Sequence, residues 1–145
     1  MSRVLHVTES LGGGVATALA AFAKNSQESE HHLFASVRPS AAVEMDLAQY
    51  FRSVTFLKSG WIGGSLKLWK HFRLIRPDYV HLHSSFAGAF GRLIPLPRSR
   101  IIYTPHCFGF EREDLSGMAR SFFRYCERIL SIRAHTLAAI SPREA

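Results

Sequence analysis

Short apolar runs and helical stretches alternate along the whole 145-residue chain, a pattern few architectures accept. The strand-like runs are RVLHVT (3–8), HHLFASV (31–37), SVTFLK (53–58), YVHLH (79–83), RIIYT (100–104) and TLAAIS (136–141). Helices are expected from the glycines at 12–14 to about Asn25, around 41–51, and over 65–76, 86–93 and 116–133. Pro77 stops the third of these, and Ser116 is placed to cap the last. Gly60, Gly63 and Gly64 read as a loop before residue 65. Strict β–α alternation at these lengths predicts an α/β domain: a doubly wound, mostly parallel sheet with helices on both faces. Residues 1–145 read as a single domain without repeats or internal linkers. The closing SPREA reads as a helix start, with Ser141 as cap and Pro142 at the first helical position. The ending is therefore expected to be a cut through the fold and not a boundary.

Composition narrows the class. At 47% hydrophobic and 12% aromatic residues the chain can bury a core, and disorder is excluded. Cys107 and Cys126 form no CxxC pair, so a disulfide framework or a zinc knuckle is not suggested. They read as reduced thiols of a cytoplasmic protein. The apolar start VLHV is too short for a signal peptide, and no run approaches the ~20 residues needed to span a bilayer.

Charge says more. The formal net charge is +7, and between Leu47 and Phe110 a single acid, Asp78, stands against nine lysines and arginines. Such a basic middle implies an anionic partner. Nucleic acid is not expected, because no recognition helix and no aromatic interleaving of basic strands is present.

In a doubly wound sheet, ligands bind outside the carboxyl ends of the strands. Glu9–Gly14 follow the first run, His83-Ser84-Ser85 the fourth, Pro105-His106-Cys107-Phe108-Gly109 the fifth, and Ser141 the sixth. The stretch from His6 to Phe22, strand then Gly12-Gly13-Gly14 then helix, is the usual way to present N–H groups to a phosphate. A dinucleotide fingerprint fails at its third glycine, which is Thr17, and at the acid after the second strand, where Val37-Arg38-Pro39 stands. Arg38 keeps an NADP reading open, and a plain tight turn remains another. His81 and His83 share a strand face, yet no third ligand follows at a telling interval, so no metal is expected. His81 is expected to be packed and His83 to reach the edge. A Cys107–His83 nucleophilic pair has no further support, and Cys107 reads as a small packed residue.

Four stretches, VTESLGGGVATAL, RPDYVHLHSSFAGAFGRL, IIYTPHCFGF and AAISPREA, together resemble the N-terminal domain of family-4 retaining glycosyltransferases. These "group 1" enzymes of surface-polysaccharide synthesis have two Rossmann-like domains, the GT-B architecture, and the resemblance covers nearly the whole chain. It implies that this domain is the acceptor half, with a nucleotide-sugar as co-substrate and no other cofactor. The resemblance gives His106 as the histidine that contacts the transferred sugar. It gives Gly12, Gly13 and Gly14 as the loop facing donor phosphate or acceptor. His83, Ser84, Ser85, Phe108 and Ser141 would be sugar or acceptor contacts. Cys107 stands where the family usually has glycine, which would narrow the pocket. The glutamate pair of the donor half has no counterpart here, so a C-terminal domain, conceivably a separate chain, would have to supply it. A non-catalytic acceptor-binding or regulatory domain is the alternative reading.

One helix carries a further expectation. Over 61–76, Leu68, Trp69, Phe72 and Ile75 fall on one face and Lys67, Lys70, His71 and Arg73 on the other. This segment is expected to lie against an anionic membrane surface, as suits a lipid-linked acceptor. The competing expectation is that the apolar stripe faces the sheet and only the cations face outward.

Overall fold

The computed structural model describes residues 1–9, 11–36, 47–57, 61–97, 100–106 and 115–139. In chain order the elements are β1 (Ser2–Thr8), α1 (Gly13–Asn25), β2 (Ser29–Ser36), a 3-10 turn (Leu47–Gln49), β3 (Ser53–Leu57) and α2 (Trp61–Ile75). They continue with β4 (Tyr79–His83), α3 (Ser85–Leu93), β5 (Ile101–Thr104), α4 (Gly117–Ser131) and β6 (Thr136–Leu137). The six strands form one parallel sheet in the order β3-β2-β1-β4-β5-β6. The order reverses between β1 and β4, which makes their carboxyl ends the switch point of a doubly wound sheet.

Three elements differ from expectation. Helix α2 starts at Trp61, four residues early, and takes in Gly63 and Gly64, which had read as loop. Helical glycine costs about 1 kcal/mol, an amount tertiary packing readily outweighs. Strand β6 has two residues instead of six, both exposed at the sheet edge; Ser141 lies outside the described residues. Of the short helix expected over 41–51, the 3-10 turn is the described part.

Alternation along the strands builds two cores, one on each face. Leu5, Val7, Phe34, Leu57, Val80, Leu82, Ile101 and Tyr103 meet Leu68 of α2 and Ala87 of α3. On the other face Leu33 and Ala35 meet Ala16, Leu19, Ala20 and Ala23 of α1, with Leu47 and Phe51. Helix α3 sits very close to the sheet. A Cβ at Gly91 would come 2.4 Å from Leu82 Cδ2, and one at Gly88 2.3 Å from the Tyr103 ring. Those two glycines let the helix backbone rest on the strands. Helix α4 is capped by Ser116, whose hydroxyl accepts the Ala119 N–H, and none of its residues is buried. It is tied down by polar groups: Glu127 accepts from Arg92 at 2.7 Å and from the Tyr103 hydroxyl at 2.9 Å. Arg92 itself is buried, stacked 4.1 Å over the Tyr103 ring.

The apolar stripe of α2 faces inward. Leu68 is buried, and Trp69, Phe72 and Ile75 pack against the core. The stripe therefore packs on the sheet, while Lys67, Lys70 and Arg73 remain exposed.

Candidate functional site

The carboxyl ends of β1, β4 and β5 lie side by side, because Thr8 pairs with His83 and His83 with Thr104. This edge brings together the start of α1, Ser84 and His106. Phe108, Ser141 and Cys107 lie outside the described residues. Two residues of the edge hold backbone conformations that L-residues avoid: Ser84 at φ 83° and His106 at φ 52°. Such positions cost on the order of 1–3 kcal/mol each and concentrate at functional sites. Ser84 accepts the Ala87 N–H at 3.4 Å and so caps α3, which turns the chain sharply from strand to helix. Ser85, one residue on, hydrogen-bonds the Tyr103 side chain.

His106 is the end of a row of four imidazoles. Its Nε2 lies 3.0 Å from His83 Nδ1, and His83 Nε2 lies 3.1 Å from His6 Nδ1. His6 Nε2 then lies 3.0 Å from His31 Nδ1, and His31 Nε2 ends the row 3.0 Å from the Ser26 carbonyl. Strand register produces this. His31 pairs with Val4 and His6 stands two residues on; His6 pairs with His81 and His83 stands two on; His83 pairs with Thr104 and His106 stands two on. Each step moves one strand over and two residues toward the carboxyl edge, which keeps every ring on the α1 face. Phe22 and Phe51 close over the row, with ring centroids 5.7 Å from His83 and from His6 respectively. His83 is fully buried, so it does not reach the edge as expected; it stands one ring behind His106. His81 is packed, its Nε2 2.9 Å from Thr104 Oγ1.

Burial disfavours charge on three of these rings. It holds His6 and His83 well below the usual histidine range, with neighbouring imidazoles adding repulsion, and lowers His81 to about 3. His6, His81 and His83 are also close enough together to share an ion. Both nitrogens of His6 and His83 are already engaged, however, and an ion there would have to break their 3.1 Å bond.

The glycine run divides by position. Gly12 is extended at φ 171° and precedes α1 without any side-chain cap. Gly13 sits at φ 48°, a left-handed conformation that favours glycine. Gly14 has neither reason: a Cβ there would meet nothing within 4 Å. Within the described residues the fold makes no demand for a glycine at 14. The first-turn amides of α1 and the positive end of its dipole are suited to an anion.

Of the expected site residues, the structure brings Gly12–Gly14, Ser84 and His106 to one edge and puts His83 behind them. The sequence reading missed His6 and His31. The signal available was position: like His81, His6 occupies a strand interior between apolar neighbours, where a histidine needs a polar partner, whereas His31 stands between Glu30 and His32 and carries no such signal.

Comparison with known proteins adds the family. A model described as "Glycosyl transferase 4-like domain" matches residues 13–145. An "uncharacterized 41.2 kDa protein in cps region" of Klebsiella pneumoniae is 32% identical over 149 residues, covering 95% of this chain and 40% of that protein. Among solved structures, sucrose-phosphate synthase from Thermosynechococcus elongatus superposes with a TM-score of 0.68 at 14% identity, over 99% of this chain and 43% of that one. MurG of Acinetobacter baumannii gives 0.59 at 14% identity, over 98% and 42%. A UDP-N-acetylglucosamine 2-epimerase gives 0.56 at 12%, over 99% and 43%. At these identities the structural likeness is one of fold. The chain spans less than half the length of each of these proteins.

Proposed function

The chain belongs to the glycosyl transferase 4-like family, and from that premise we propose that it is the acceptor-side domain of a retaining glycosyltransferase using a nucleotide-sugar donor. The observation that carries the reading is that His106, in a left-handed conformation, stands on the same carboxyl edge of the sheet as an α1 start whose Gly14 the described residues do not require. The amides of Gly13 and Gly14 would meet a diphosphate, since no Cβ blocks its approach. His106 would hydrogen-bond a hydroxyl of the transferred sugar, holding the anomeric carbon in place as the bond to the nucleotide breaks. The cps-region relative supports surface polysaccharide or glycolipid as the product class. The donor-side half would come from a further domain, in the same polypeptide or in a partner, and 145 residues alone would not transfer sugar. The experiment is a transfer assay over a panel of nucleotide-sugars with this domain joined to a donor-binding domain. Transfer supports the reading; binding of NADPH with no transfer replaces it.

The cation-bearing side of α2 favours a finer statement. Lys67, Lys70 and Arg73 are exposed beside exposed Leu66 and Leu74. Next to them an open apolar groove of about 630 Å³ is lined by Leu66, Trp69, Phe90, Leu93 and Pro95. This combination suits an anionic bilayer presenting a lipid-linked acceptor, and supports a reading in which the proposed enzyme would work at the cytoplasmic membrane face. No described helix is long and apolar enough to cross a membrane.

A further inference from the structure

The reading of His106 as the sugar-facing group leaves open which ring nitrogen does the work, and the imidazole row decides it. The Ser26 carbonyl only accepts, so His31 Nε2, 3.0 Å away, carries a proton. The Ser26 hydroxyl, 3.1 Å from the same nitrogen, gives its one proton to the Phe22 carbonyl at 2.6 Å and also offers His31 a lone pair. A neutral His31 therefore has a bare Nδ1, which accepts from His6 Nε2–H. His6 Nδ1 is then bare and accepts from His83 Nε2–H; His83 Nδ1 is bare and accepts from His106 Nε2–H. Every bond in the row points the same way. Among the described residues His6, His31 and His83 hydrogen-bond no carboxylate, and Phe22 and Phe51 cover the row, so nothing there supports a charged ring that would reverse the direction.

We propose that His31, His6 and His83 are positioning residues that hold His106 in its Nε2–H tautomer. In that tautomer neutral His106 carries its lone pair on Nδ1, the nitrogen of the kind that accepts from a hydroxyl, and has no second N–H to donate to a phosphate oxygen. This rests on the proposed function for its substrate, but the tautomer is a property of the chain itself. The row is a clamp and not a conductor. A proton passed inward from His106 would have to leave through the Ser26 carbonyl, which accepts a hydrogen bond but is no base, and a ring charged on the way, such as His83, is opposed by burial.

The test is long-range proton–nitrogen NMR on the folded chain carrying ¹⁵N-histidine, at pH 7.5. All four rings should show the Nε2–H tautomer, with His106 in one form only. A free histidine populates both forms, so the decisive variant is His31→Leu, which removes the anchor three rings away. It should turn His106 into a mixture of the two tautomers. His31→Asn, which restores an acceptor where Nδ1 stood, should return it to one. An Nδ1–H tautomer at any of the four rings in the parent overturns the proposal, and this reading stands even where His31→Leu fails to fold. An unchanged His106 in folded His31→Leu also overturns it. So does stoichiometric Zn²⁺ shifting the His6 and His83 nitrogens to metal-bound positions, since the cluster would then be a metal site. None of these readouts uses transfer activity, so failure here is separable from failure of the proposed function.

Discussion

Arg92 is buried inside the protein and is 2.7 Å from the Glu127 carboxylate, which reaches it from a helix with no buried residue of its own. The same carboxylate accepts the Tyr103 hydroxyl, whose ionisation burial suppresses further. Removing one partner of such a pair strands a buried charge and typically costs about 3–5 kcal/mol. Glu127→Ala should therefore destabilise the chain by about 3 kcal/mol in urea unfolding and loosen α4 first. Hydrogen exchange should show the α4 amides losing protection ahead of the sheet.

Glycines 14 and 91 should respond to alanine in opposite directions. At position 91 the new Cβ meets the buried Leu82, and overpacking of this kind costs about 1–3 kcal/mol. At position 14 it meets nothing among the described residues, so the gain in helix propensity should raise stability by up to about 1 kcal/mol. In the complete enzyme the same Gly14→Ala change should weaken binding of the nucleotide-sugar. Thermal melts of both variants check the signs; a destabilised Gly14→Ala would mean that glycine serves the fold after all.

Acid should unfold this protein early. His6, His81 and His83 have folded pKa values below the ordinary histidine value, His81 at about 3. Above pH 7 both states hold these rings neutral and stability does not depend on them. Below about 6.5 the unfolded chain takes up protons that the folded one refuses, so stability falls as pH falls, until the folded values are reached. Each ring contributes up to about 1.4 kcal/mol per pH unit, and three together about 4. Against a total of about 5–15 kcal/mol, this predicts cooperative unfolding between roughly pH 5 and 4. A circular-dichroism titration checks it, and constant stability from pH 7 to 4 would contradict it.

Membrane association should be electrostatic. Three exposed cations on α2 contribute roughly 1 kcal/mol each near an anionic surface. Co-sedimentation should be strong with anionic vesicles at low salt, weak at high salt and weak with neutral vesicles. Replacing Lys67, Lys70 and Arg73 by glutamine should reduce it by about 100-fold. Equal binding to neutral vesicles would remove the electrostatic account.

The β–α order was legible because it is written in short-range patterns: apolar runs, Pro77 as a stop, Ser116 as a cap. The start of helix α2 is not legible in the same way, because Gly63 and Gly64 read locally as breakers, a preference that packing overrides. The edge residues of the site were legible because a parallel sheet puts strand ends together. What lay behind the edge was not. The row from Ser26 to His106 depends on register across β2, β1, β4 and β5, and register is long-range information. The burial of His83, expected at the edge, has the same cause.

The central claim is that His106 meets the transferred sugar. The most direct measurement is the rate of transfer from a nucleotide-sugar by the complete two-domain enzyme and by its His106→Ala variant, with thermal melts in parallel. The account predicts a turnover lower by about 10²–10³-fold, as for loss of one well-placed polar group, and a melting temperature within a few degrees of the parent. It also predicts no transfer by the 145-residue chain alone. A variant that transfers sugar as fast as the parent would contradict it.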